Sequence, residues 1–244
     1  MLVIFSFECR SPVGRCRLYH LPHISATITL PLLLLRIMSK DIDSLLSKLA
    51  GTRTEASLFN PYNEVCKTTD ISTAPGLRQG NLRLFLESHL NLKTDLLWIF
   101  DTPDYHNAKL SGIPLVNSSL YSRVEDLLGM TEHFENAGKA HNVNENSKIE
   151  ENLWNSFAKS STHPLVWNVM PFYPYKGEDM TSKRKATKEE VIKYGEFLRS
   201  IISIFKPKKV VAVGREAKAA VDLLEIEAVY ITQADALDSK QRRT

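Results

Sequence analysis

Cysteine is scarce in this chain, with three in 244 residues. Cys9 and Cys16 lie near the start and Cys66 stands alone in the body. A single body cysteine excludes a disulfide within the body, a four-cysteine zinc site and a four-cysteine iron–sulfur cluster, and it fits a reducing compartment. Gly 10 and Pro 11 are too few for collagen or a low-complexity chain. The one strongly apolar stretch, residues 24–37, is too short to span a bilayer and is interrupted by Pro31 and Arg36. An excess of one charge is also missing from the body. The formal charge is +3, but residues 1–37 hold Arg10, Arg15, Arg17 and Arg36 against Glu8 alone, which accounts for all of it. Residues 38–244 carry 27 basic and 27 acidic residues. What remains is ordinary globular composition, 43% hydrophobic and 24% charged, at a length that favours one large domain.

Both ends read differently from the middle. Residues 1–37 are a leader outside the folded domain, with three competing readings: a targeting peptide, a poor signal peptide, or sequence upstream of a true start at Met38. The last is preferred, because Met38-Ser39-Lys40 leads directly into an amphipathic pattern at residues 41–50. The expected location is cytoplasmic, or organellar if the leader targets. Residues 232–244 form a polar tail without apolar periodicity.

Between them, helical spacing alternates with short apolar runs. Residues 41–50, 81–92, 120–128, 149–157, 187–205 and 214–224 have helical patterns, with Thr187 as a cap. Leu96–Phe100, Leu165–Val169, Lys209–Val213 and Ala228–Ile231 read as buried strands. Residues 131–147 read as a flexible polar excursion and residues 170–176 as a loop. Strands alternating with helices predict an α/β fold, a three-layer α/β/α sandwich on a central four-stranded parallel sheet. Ligands in such sheets bind beyond the carboxyl ends of the strands. The chemistry is therefore expected at residues 101–116, 168–176, 214–215 and whatever follows Ile231.

The segments at these places, in order, carry a resemblance. Asp101-Thr102-Pro103-Asp104-Tyr105-His106 with Leu110-Ser111-Gly112-Ile113-Pro114-Leu115 resembles Glu-Ala-Pro-Gly-Tyr followed by Leu-Thr-Gly-Ile-Pro-Phe. Val166-Trp167-Asn168 with Met170-Pro171-Phe172-Tyr173-Pro174 resembles a strand that delivers an Asn, followed by an aromatic and proline loop. Residues 197–215, ending in Val213-Gly214-Arg215, resemble a helix-then-strand block, and Asn60-Pro61-Tyr62 and Asn81-Leu82-Arg83 fit an N-terminal part. Together these resemble the uracil-DNA glycosylase superfamily over most of residues 41–231. The resemblance implies a DNA repair hydrolase acting as a monomer on uracil-containing DNA, with no metal, no organic cofactor and no membrane.

On that resemblance, Asn168 reads the edge of a flipped uracil, since a side-chain amide offers a donor and an acceptor together. Asp101 stabilises the positive charge that develops on the sugar and orients a water. Leu115, Tyr105, His106 and Phe172 complete the base pocket. Pro103, Pro171 and Pro174 press the DNA backbone, and Lys183, Arg184, Lys185, Gly214 and Arg215 meet phosphates. Each has a plainer reading beside it: Asn168 and Asp101 as loop ties, the prolines as turn formers, the basic run as a solvated face, and His106 and Tyr105 as structural loop residues.

Three departures bear on activity. Asp101 is one methylene shorter than Glu. Leu115 stands where an aromatic ring stacks on the base, a contribution of roughly 1–3 kcal/mol. The family's His-Pro-Ser motif does not follow Ile231. Suitable codons for residues 231–235 encode His-Pro-Ser-Arg in another frame, so a frame shift near Ile231 is the expected origin of the tail. A non-catalytic DNA-binding relative is the second reading. A nucleotide-binding α/β enzyme using the Gly214-Arg215 turn is the third, although the chain lacks a P-loop and a G-x-G-x-x-G.

Overall fold

The computed structural model describes residues 29–139, 148–160 and 163–237, with side chains from residue 37 onward. The elements run α1 (Thr29–Gly51), β1 (Leu58–Phe59), α2 (Ala74–Asn91), β2 (Leu96–Phe100), α3 (Ala108–Ser111), α4 (Tyr121–Leu128), α5 (Lys148–Ala158), β3 (Leu165–Asn168), β4 (Tyr173–Lys176), β5 (Asp179–Lys183), α6 (Lys188–Phe205), β6 (Lys209–Val213), α7 (Arg215–Leu223), β7 (Val229–Ile231) and α8 (Gln233–Leu237). β2, β3, β6 and β7 make one parallel sheet in the order β3-β2-β6-β7, flanked by helices in a three-layer α/β/α fold. β2 and β3 are in register from Leu97 opposite Leu165 to Phe100 opposite Asn168. The continuous apolar runs of the sequence are strands that helices cover on both faces. Trp98, Ile99, Val166, Trp167 and Ala212 are accordingly buried.

Helix ends follow local chemistry. Thr187 caps α6 with a full capping box, its side chain accepting the Glu190 N–H while Glu190 accepts the Thr187 N–H. α3 ends at Gly112 in the left-handed region (φ 80°), where a Cβ would lie 2.6 Å from Arg78 Cβ and 2.7 Å from the Arg78 carbonyl oxygen. Arg78 is fully buried. Its guanidinium pairs with Asp70 at 2.6 Å and donates to the carbonyls of Leu110 and Pro61. This tie holds the 101–115 loop against α2. α1 packs on α2 and α6, α6 on α7, and α4 and α8 on α5.

Four expectations change. α1 begins at Thr29, so the boundary after Ile37 falls inside a helix; residues 1–28 lie outside the described residues. Residues 170–176 are not all loop. Tyr173–Lys176 pairs with Leu58–Phe59 and with Asp179–Lys183 in a second, antiparallel sheet. The described part of the 131–147 excursion is anchored rather than loose. Phe134 is buried against Tyr121, and Asn81 exchanges hydrogen bonds with the Glu135 backbone. The tail starts with α8, capped by Thr232, whose hydroxyl donates to Asp235 and accepts the Asp235 N–H. No helix among the described residues is long and apolar enough to cross a membrane.

Candidate functional site

The order β3-β2-β6-β7 reverses direction between β2 and β6, which is where open α/β sheets leave a crevice at their carboxyl edge. A cavity of about 350 Å³ lies there, within the range of small-molecule sites (about 300–1,000 Å³). Phe100 and Asp101 from the end of β2, Asn168 from β3 and Val213 from β6 line it. Leu115 and His106 come from the loop after β2, Glu150 and Leu153 from α5, Lys183 from β5, and Gln233 with Leu237 from α8.

Asn168 is the best-defined polar group in this cavity. It is 3% exposed, and its Nδ2 donates to the Asp101 carbonyl at 2.5 Å. Only the amino end of the amide can face a carbonyl oxygen, so this contact fixes the amide's orientation. Oδ1 is then left buried without a hydrogen-bond partner. A buried acceptor in this state costs on the order of 1–3 kcal/mol, which a ligand N–H would recover.

Asp101 lies at the mouth, with a third of its side chain exposed. Its Oδ1 accepts the Thr102 N–H at 2.6 Å, and its Oδ2 lies 3.5 Å from Lys183 Nζ. One oxygen thus ties the loop and the other is available at the cavity. Asp104 Oδ2 is 3.9 Å from the same ammonium. Asn107, the N-cap of α3, accepts the N–H groups of Asp104 and Ala108, and its amide donates to Glu150. This shapes the Asp104–Asn107 turn into the cavity wall. Leu115 is held in the left-handed region (φ 57°), a strained conformation for a residue with a side chain, and Trp154 Nε1 donates to its carbonyl at 2.8 Å.

The sequence-based site residues divide. Asp101, Asn168, Leu115, His106 and Lys183 meet at the cavity. Phe172 does not; it is fully buried with its ring edge against Tyr194 and Phe197. Tyr105 lies behind the wall, packed near Tyr173 and under Lys109 Nζ at 4.6 Å. Pro103, Pro171 and Pro174 are buried, Pro174 within β4 opposite Leu58, so none presents a ring to a nucleic acid. The basic run splits three ways. Lys183 turns into the cavity, Arg184 makes a two-pronged pair with Glu190 and donates to the Ser57 and Tyr175 carbonyls, and Lys185 pairs with Glu216. Arg215 is exposed, while the Gly214 N–H is spent on the Ile231 carbonyl.

Several lining residues escaped the sequence reading: Glu150, Leu153, Gln233 and Leu237. The Thr232-x-x-Asp235 spacing is a helix-start signal that marks α8 in retrospect. Nothing local marks Glu150, whose place depends on α5 packing beside the sheet. Among the described residues no group of three or more His, Cys, Asp or Glu is placed to hold a metal ion. No protein-family model matches the chain, and no curated protein matches its sequence.

Proposed function

We propose that this chain hydrolyses the N-glycosidic bond of uracil, or a closely related base, flipped out of DNA. The observation that carries the reading is Asn168. Its amide is pinned by the Asp101 carbonyl, its acceptor is buried without a partner, and the residue lines a cavity large enough for a base. With Oδ1 accepting the N3–H of uracil and the second Nδ2 proton donating to O4, the amide pairs with uracil and rejects the donor and acceptor order of cytosine. Asp101 Oδ2 at the mouth supports the positive charge on the sugar as the C1′–N1 bond breaks, and it orients the water that forms the new C1′–O bond. The bonding pair leaves with N1 as the base anion, and the proton that the water gives up passes to Asp101 Oδ2.

The test is incubation with uracil-containing and matched cytosine-containing single-stranded oligonucleotides, then alkali to reveal abasic sites. Excision confined to uracil is expected. Asn168→Ala and Asp101→Asn should each slow it by about 100-fold, the usual cost of losing one positioned polar group. A wild-type chain that excises nothing, or an Asn168→Ala variant that excises at the wild-type rate, overturns the reading. A second reading, DNA binding without hydrolysis, is favoured by one observation: the cavity position where the resemblance expects a ring stacked on the base holds the aliphatic Leu115. Salt-dependent binding without abasic sites would select it.

A further inference from the structure

We infer that Lys183 is the group that holds the negative charge of the departing base, making the cavity a site for a planar pyrimidine anion; the inference rests on the glycosidic reading of the same site. In the sequence Lys183 is one of three adjacent cations. In the fold it is the one whose side chain lines the cavity. β5 ends at Lys183, and its side chain reaches from the antiparallel sheet to the carboxyl edge of the parallel sheet, where Nζ donates to the Thr102 carbonyl at 3.0 Å. Asp101 Oδ2 at 3.5 Å and Asp104 Oδ2 at 3.9 Å attract the ammonium without taking its protons in close hydrogen bonds. An ammonium has three protons, so donors remain for a ligand oxygen.

Charge makes this lysine necessary. The described lining carries three carboxyl groups (Asp101, Asp104 and Glu150), the imidazole of His106 and one lysine. When the C1′–N1 bond breaks, the electron pair stays on the base. A base anion formed against three carboxyl groups is disfavoured unless a cation faces it, and Lys183 is the fixed cation of this lining. Its side chain is 31% exposed, and its Nζ already sits beside the carboxylate assigned to the sugar. Asp101 can thus stabilise the positive partner and Lys183 the negative one as the charges separate.

Binding tests this without turnover. The full chain is titrated with barbiturate, a planar pyrimidine that is an anion at neutral pH, and with neutral uracil. The wild type is expected to prefer barbiturate by on the order of 10-fold or more, the range of a charge-assisted hydrogen bond. Lys183→Met should lose the preference while binding uracil within about threefold of wild type, and Lys183→Arg should restore it. Equal preference in wild type and Lys183→Met, or failure of the wild type to bind barbiturate, overturns the inference. Excision supplies the second arm. Lys183→Met should slow release of uracil more than release of 5-fluorouracil, whose anion is the better leaving group, whereas a merely structural lysine would slow both alike. Loss of the barbiturate preference with both excision rates unchanged would overturn the role of Lys183 alone. Wild-type binding of barbiturate without any excision would instead overturn the glycosidic reading.

Discussion

His89 shows how strongly one residue's surroundings set its chemistry. It is fully buried in α2, with Nδ1 2.9 Å from the Thr94 hydroxyl and its ring edge-on to Phe85 at 4.7 Å. Burial, with a smaller contribution from His163, pushes its pKa down to about 3. The unfolded chain binds this proton near pH 6.5. Between the two values the unfolded state holds more protons, so stability rises with pH across that window and is lost on acidification. Unfolding by urea at pH 7 and pH 5 should show a loss of about 2 kcal/mol at the lower pH that is absent in His89→Gln. An identical pH dependence in the variant would show that other groups cause it. Residues of this kind are not legible in sequence, where His89 is one helical position among many. Asp101 and Asn168 were legible, because each ends an apolar run whose strand character fixes where the next side chain must stand. Phe172 and Tyr105 were misplaced for the opposite reason. Proximity in sequence to the site says nothing about which face of a loop an aromatic ring takes, and both rings found more apolar surface away from the cavity.

The loop from β2 through α3 is the element on which the site hangs, and Gly112 is its tightest point. The positive φ and the 2.7 Å approach of the Arg78 carbonyl oxygen leave no room for a methyl group. Gly129 gives a matched control, since it also has a positive φ (63°) but open space around the added carbon. Gly129→Ala should cost about 1 kcal/mol, the strain of a left-handed alanine. Gly112→Ala should cost about 3 kcal/mol because strain and collision add, and it should lower excision by shifting the Asp101 loop. Urea midpoints and single-turnover excision check both. Equal costs for the two variants would mean that α2 yields and the Arg78 contact does not matter. Elements with a strong period, such as α6 and the four parallel strands, were readable from sequence. β1, β4 and β5 were not. They are short, one contains a proline, and they exist because Leu58–Phe59 comes back to pair with Tyr173–Pro174 more than a hundred residues later.

At the scale of the whole molecule, the parallel sheet and the placing of the site beyond its carboxyl edge followed from the alternation of strands and helices, because parallel neighbours need helical crossovers. Charge behaves differently, since its arrangement depends on pairing that only the fold reveals. Residues 38–231 carry 24 basic and 25 acidic residues. The 183–185 run, which looks like a phosphate-binding patch, is divided between the cavity, Glu190 and Glu216. A single-stranded oligonucleotide should therefore meet only one or two phosphate contacts on this domain, Arg215 being an exposed candidate. The net +3 resides in residues 1–37. Each neutralised phosphate on a single strand contributes roughly −0.7 to the slope of log affinity against log salt. Replacing Arg10, Arg15 and Arg17 with Gln should bring that slope to about −1, and the unmodified chain should lie between about −1 and −3. Fluorescence anisotropy across roughly 50 to 200 mM salt measures it. A slope steeper than about −4 in the substituted chain would reveal a phosphate-tracking face that the paired side chains of residues 183–185 do not provide. The weak slope has a functional corollary: recognition then depends on the cavity, so Asn168→Ala should weaken binding to a uracil-containing strand toward the level of its cytosine-containing control.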